Sequence, residues 1–280
     1  IVFEETALKE IIGKYTREAG LRNLEREIGT VCRKVARKIA EGYKRQLKIT
    51  PTMVATLLGA AKFLRDDEMD TNEVGVVNGL AWTSVGGEVL HIEANTMPGK
   101  GGMSLTGQLG DVMKESVQAA LAYIRSHGDE FHISADWFQE HEIHVHVPAG
   151  AVPKDGPSAG CAMVTALVSV LTRVPVRKDV AMTGEFSLRG KVLPIGGLKE
   201  KILAAVRAGM KTVIIPEQNK KDLEDIPKEM QKKVRIVPVR EIDEVLKLAL
   251  EKYLIPAPKG KAEPAAPKVE IGRASCRERV

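Results

Sequence analysis

The spacing of apolar residues changes once along this chain, and that change limits what it can fold into. Ahead of the acidic stretch Arg65-Asp66-Asp67-Glu68-Met69-Asp70 the spacing is helical. Leu8, Ile11, Ile12 and Tyr15 form one stripe; past Gly20, Leu21, Leu24, Ile28, Val31, Val35 and Ile39 form a second. Thr50-Pro51 reads as an N-cap followed by proline at the first helical position, opening a third helix through Leu57 and Leu58. Beyond the acidic stretch strands are expected at 74–82, 88–94 and 103–106, separated by the glycine clusters at 86–87 and 99–102. A helix from Asp111 carries Val112, Val117, Ala120, Leu121 and Ile124 on one face and ends near Gly128. In 142–147, Ile143, Val145 and Val147 alternate with His144 and His146. Further strands are expected at 180–183, 191–194, 212–215 and 235–239, with helices at 197–208 and 241–250. Strands and helices mix without a repeating unit, so the expected class is α+β: a small all-helical domain over 1–69, then a mixed α+β domain over 70–255. Residues 256–280 are rich in Pro, Ala and charge and have no apolar period; disorder is expected there, and 272–280 read as vector-encoded.

Composition removes several function classes. No run of about 18 apolar residues occurs, so no membrane-spanning helix is expected. The start, Ile1-Val2-Phe3-Glu4-Glu5, lacks the charged-then-apolar pattern of a signal peptide, and a soluble intracellular protein is expected. Cys32, Cys161 and Cys276 are odd in number and widely spaced, which argues against a disulfide framework and against a thiolate metal site. The net charge is +5, of which the tail from Pro256 onward supplies +3 from six Lys/Arg and three Asp/Glu. A denser basic run, Arg33, Lys34, Arg37, Lys38, Lys44, Arg45 and Lys48, has few aromatics interleaved. It reads as a solvated face or subunit contact before a base-stacking platform. A non-catalytic assembly or nucleic-acid-binding module using residues 33–48, with weak DNA binding, is the alternative function.

The chemistry concentrates in Pro153-Lys154-Asp155-Gly156-Pro157-Ser158-Ala159-Gly160, which runs into an apolar helical segment from Cys161. Proline suits a first helical position, so Ser158 is expected in the first turn, where unpaired N–H groups and the helix dipole favour an oxyanion. An ordinary serine cap would look the same. A nucleophilic serine needs a proton acceptor. His144 and His146 share one strand face, but no third or fourth metal ligand stands at a recognisable spacing, so they are expected to satisfy hydrogen bonds beside the site. The other candidates are the lysines of Gly196-Gly197-Leu198-Lys199-Glu200-Lys201. A lysine serves as base only where burial lowers its pKa. Lys201 has Ala204, Ala205 and Ala208 at helical spacing, while Lys199 borders Leu203 and Val206, so periodicity does not choose between them.

The octapeptide 153–160, Thr183-Gly184-Glu185 and Gly196-Gly197-Leu198-Lys199-Glu200-Lys201 together resemble the protease domain of the ATP-dependent Lon family. The likeness runs from about 75 to 250 and includes His144-Val145-His146-Val147-Pro148, Leu188-Arg189-Gly190 and Leu193-Pro194-Ile195. It implies a serine endopeptidase with a Ser-Lys dyad, in which Ser158 matches the nucleophile and Lys201, the second lysine, matches the base. It further implies that Thr183 orients the lysine amine and that Asp155 occupies a position whose backbone differs between open and closed sites; of the two histidines read above as hydrogen-bonding beside the site, His146 is the supporting candidate. Tyr15-Thr16-Arg17-Glu18-Ala19-Gly20-Leu21-Arg22-Asn23-Leu24-Glu25-Arg26 is similar to the small helical lid of the AAA+ module in Lon proteins, with Arg22 matching the arginine that senses nucleotide phosphates. The sequence contains no G-x-x-x-x-G-K-[ST] loop, so it reads as lid plus protease with no ATPase activity of its own. The resemblance implies no cofactor for peptide hydrolysis, ATP and Mg for the full-length parent, and misfolded or unstructured protein substrates. It also implies a homohexameric ring and a bacterial cytoplasmic location, with the mitochondrial matrix as the alternative.

Overall fold

The structure is a computed structural model that describes residues 1–18, 20–44, 46–63, 71–148 and 153–252. The helical stripes at the start of the chain become α1 (Glu5–Tyr15), α2 (Arg22–Ala40) and α3 (Pro51–Leu58), with β1 (Val2–Phe3) paired in parallel to β2 (Lys48–Ile49). Ala7, Ile11, Tyr15, Val31, Val35, Ile49, Val54 and Leu57 bury one another in a core of their own. Thr50 caps α3 by accepting from the Met53 amide at 3.3 Å. Leu21, ahead of α2, has no capping side chain, and the Glu18 carboxylate takes that place, accepting from the Asn23 and Leu24 amides at 2.8 and 2.9 Å. Ile12, Leu21 and Ile39, which the spacing included in the apolar stripes, are exposed, because three helices enclose only one face of each other. The acidic boundary at 65–70 and the tail from 256 lie outside the described residues.

The second half is built on a hairpin of β3 (Val76–Thr83) and β4 (Gly86–Pro98). In chain order there follow β5 (Met103–Thr106), α4 (Asp111–Ser126), α5 (Trp137–Glu140), β6 (His141–His146), α6 (Gly160–Thr172), β7 (Val180–Met182), β8 (Glu185–Phe186) and β9 (Val192–Leu193). Then come α7 (Leu198–Arg207), β10 (Thr212–Pro216), a 3-10 stretch (Glu217–Asp225), α8 (Lys228–Gln231), β11 (Arg235–Val239) and α9 (Ile242–Ala249). Seven strands make one mixed sheet in the order β11-β10-β7-β3-β4-β6-β5. It is parallel from β11 to β3, antiparallel from β3 through β4 to β6, and parallel again between β6 and β5. The fold is therefore the expected α+β, with a helical unit ahead of a mixed sheet. Strand β4 outruns its expected length, since residues past β3 still pair with β6. Val112 faces solvent and Met113 takes its place in the core. The expected strand at 191–194 narrows to β9, and the short helices α5 and α8 carried no pattern long enough to read.

Alternation along β3 assigns its two faces. Val77 joins a core shared with α4, α6 and α9, whereas Leu80 joins a second core under α7 with Ile202, Ala205, Val213 and Ile215. Helix α6 is buried on every side from Gly160 to Val170, which is why its sequence lacks a polar stripe. The two polar residues in its fully buried part are satisfied internally: Thr165 donates to the Cys161 carbonyl at 2.8 Å, and Ser169 donates to the Val174 carbonyl at 2.5 Å while accepting from the Gly75 amide at 2.9 Å. Leu167→Ala is expected to destabilise the fold by about 2–5 kcal/mol, the usual cost of truncating a fully buried leucine, measurable by urea or thermal unfolding. Among the described residues no helix is long and apolar enough to cross a membrane.

Candidate active site

Ser158 is delivered by a 3-10 turn, Pro157–Ala159, directly ahead of α6. Sequence reading put it in the first α-helical turn; proline opens the tighter turn instead, and the α-helix begins two residues after the serine. The turn is tied down through its backbone. The Ser158 carbonyl accepts from the Gly184 amide at 2.9 Å and from the Thr183 hydroxyl at 3.3 Å, while the Cys161 amide donates to the Gly184 carbonyl at 2.9 Å. The loop after β7 is thereby fastened to the mouth of α6. The Ser158 side chain is half-buried, and its hydroxyl makes no hydrogen bond among the described residues.

Helix α7 brings the lysine. Its inward face packs Leu198, Ile202 and Ala205 against the second core, and Lys201 lies on the same side, 2% exposed. Lys199 projects into solvent. The two lysines that periodicity left equivalent are thus separated by burial. Lys201 Nζ donates to Thr183 Oγ1 at 3.2 Å, which completes a chain from the amine through the threonine hydroxyl to the serine's own carbonyl. No carboxylate pairs with Lys201 among the described residues, so burial acts unopposed and pushes its pKa from 10.5 down to about 8. The loop leading into α7 is held by buried Asn219, which accepts from the Ile195 amide at 3.0 Å and donates to the Ile195 carbonyl at 2.8 Å. Sequence reading passed over Asn219 because it lies in the polar run 217–222.

The remaining candidates sit elsewhere. Asp155 faces the start of α4, where its Oδ1 accepts from the Met113 amide at 3.1 Å and the Gly156 amide at 2.9 Å. It supplies the cap that Gly110 lacks, and it fits because Gly110 has no Cβ; one there would lie 2.3 Å from the Asp155 carboxyl carbon. His144 and His146 share a face of β6, as the alternation implied, and both bind Thr106 Oγ1, at 2.9 and 2.6 Å. Neither bonds to Ser158, Thr183 or Lys201. Among the described residues no cluster of three His, Cys, Asp or Glu side chains is arranged to hold a metal ion. Arg22 opens α2 on the exposed surface of the helical unit. In the basic run, Lys34 donates to the Leu57 carbonyl, Arg33 to Thr30, Arg37 pairs with Glu41 and Lys48 with Glu4; Arg45 lies outside the described residues.

Residues 48–252 match the Lon protease (S16) C-terminal proteolytic domain, and residues 1–49 match the Lon protease AAA+ ATPase lid domain. The chain belongs to the Lon protease family. A Lon protease of Trichlorobacter lovleyi is 88% identical over 271 residues, covering 97% of this chain and 33% of the relative. One from Geobacter metallireducens is 68% identical over 266 residues, 95% of this chain and 32% of the relative, and Lon protease 1 of Myxococcus xanthus is 56% identical over 246 residues, 88% and 30%. These relatives are bacterial, and the chain spans about a third of their length, so it is a Lon fragment. The lid and proteolytic matches meet at Lys48–Ile49, yet the core of the helical unit reaches on to Val54 and Leu57. In this Lon chain α3 therefore packs with the lid although it falls within the proteolytic match.

Proposed function

We propose that this chain is the serine endopeptidase module of an ATP-dependent Lon protease, with Ser158 as nucleophile and Lys201 as its base. The observation that carries the reading is the buried, carboxylate-free Lys201 amine hydrogen-bonded to Thr183, which in turn holds the Ser158 turn. In its neutral form the amine directs one N–H to Thr183 and keeps its lone pair for the serine proton; this makes Thr183 the residue that aims it. Ser158 Oγ attacks a peptide carbonyl as Lys201 accepts its proton. The oxyanion is stabilised by backbone N–H groups of the turn, and the ammonium returns the proton to the leaving amine. Water, deprotonated by the same lysine, then hydrolyses the ester and frees Ser158. Asp155 takes no part in proton transfer; it fixes the segment leading to the turn by capping α4.

The parent we propose is a homohexameric ring in the bacterial cytoplasm acting on unfolded or misfolded protein. ATP with Mg would supply it with the work of unfolding and translocation. Of the residues here only Arg22 is assigned to the nucleotide; its exposed place at the start of α2 leaves the guanidinium open to a phosphate, and no step of peptide hydrolysis passes through it. A fluorophosphonate or peptide boronate tests the reading directly. Labelling mapped by mass spectrometry is expected on Ser158 and on no other serine, and absence of a Ser158 adduct in the folded chain would overturn it.

A further inference from the structure

The tip of the β3–β4 hairpin lies against the start of α7. Gly87 is seated on the backbone of α7 so closely that a Cβ there would fall 1.9 Å from the Glu200 carbonyl oxygen and 3.0 Å from the Lys201 amide nitrogen. Only glycine permits that approach. One strand position across, Trp82 pairs with Gly87 and covers Gly197, the residue preceding α7; a Cβ on Gly197 would meet the Trp82 ring at 3.1 Å. The contact is locked from the far end of the same helix, where Arg207 Nη2 donates to the Gly87 carbonyl at 2.5 Å. The next residue of β4, Glu88, turns outward and forms an ion pair with Arg17, which follows α1 in the helical unit.

We propose that this hairpin is a lever: the Arg17–Glu88 ion pair reports the position of the helical unit, and Gly87 passes it to the backbone of Lys201. The consequence for catalysis rests on the reading of Lys201 as the base; the mechanical link does not. Displacing the hairpin outward would loosen the first turn of α7, which begins with the Lys201 amide bonded to the Gly197 carbonyl at 3.2 Å. Glu88 and Arg17 are then positioning residues that act through Gly87. Because both side chains are partly exposed, the ion pair biases the lever rather than holding it rigid.

The test compares the chain with Arg17→Gln, Glu88→Gln and the charge exchange Arg17→Glu with Glu88→Arg, by hydrogen–deuterium exchange and by peptide cleavage. Either single variant should speed exchange of the amides at 201–203 about two- to fivefold, the effect of losing a surface ion pair, while α9 is unchanged. The exchanged pair should restore the slow rate. In cleavage, kcat should fall by a similar factor with KM held, because the substrate contacts are untouched. Unchanged exchange at 201–203 in both single variants, or failure of the charge exchange to restore it, would overturn the lever. Should exchange respond as expected in a chain that shows no Ser158-dependent cleavage, the lever stands and the assignment of Lys201 as base fails.

Discussion

Ser158→Ala is expected to abolish peptide cleavage, lowering kcat by about 10³-fold or more, since under the proposed mechanism it removes the covalent nucleophile and leaves only the assistance that binding and the turn's N–H groups provide. A fluorogenic peptide assay on the purified chain measures it. Ser158 Oγ makes no hydrogen bond among the described residues, and the turn is held through its carbonyl, so the alanine variant should unfold at the same urea concentration as the parent. The loss would then be chemical. Full activity in the variant would remove Ser158 from the mechanism.

Lys201 carries the second large effect, and its two parts have opposite signs. Lys201→Gln should lose activity nearly as completely as Ser158→Ala, whereas Lys199→Gln, at an exposed position of the same helix, should retain it. The base must be neutral, so kcat/KM in the parent should climb with pH along an acid limb centred at about 8. Stability follows the same lysine. Its folded pKa lies below its ordinary 10.5, so the unfolded chain binds more protons between about 8 and 10.5, and stability due to Lys201 rises with pH across that window. Below it the fold bears the whole cost of burying an ammonium. Lys201→Met should therefore stabilise the chain at pH 7 by about 2–3 kcal/mol, read from the shift of the urea midpoint, and gain little above pH 11. A destabilised Met variant, or a profile flat from pH 6 to 9, would contradict the assignment.

What the sequence made legible divides along local and distant causes. Helices α1, α2, α4, α7 and α9 and the central strands announced themselves because one face of each is apolar at the right period. Helix α6 was visible through its flanking turn and unbroken apolar run. The choice between Lys199 and Lys201 was not available from periodicity, because both have apolar residues at helical spacing; what separates them is which side of α7 meets β3 and β4. Asp155 as the cap of α4 depends on residues 107–110 running beside 154, a pairing between segments more than forty positions apart. Asn219 and Glu88 look like surface residues in their local sequence. Their partners, Ile195 and Arg17, come from elements that only the folded topology brings near. His144 and His146 were rightly placed on one face, but Thr106, the hydroxyl they share, sits on a strand whose parallel pairing no local pattern indicated.

The complete burial of α6 bears on how this molecule fails. A helix with no exposed side from 160 to 170 has no partial opening that leaves the rest of the sheet intact, and the serine turn is fastened to its first residue. Inactivation by denaturant should then coincide with loss of the whole sheet domain rather than precede it, unlike an enzyme whose nucleophile rides on a loop that melts early.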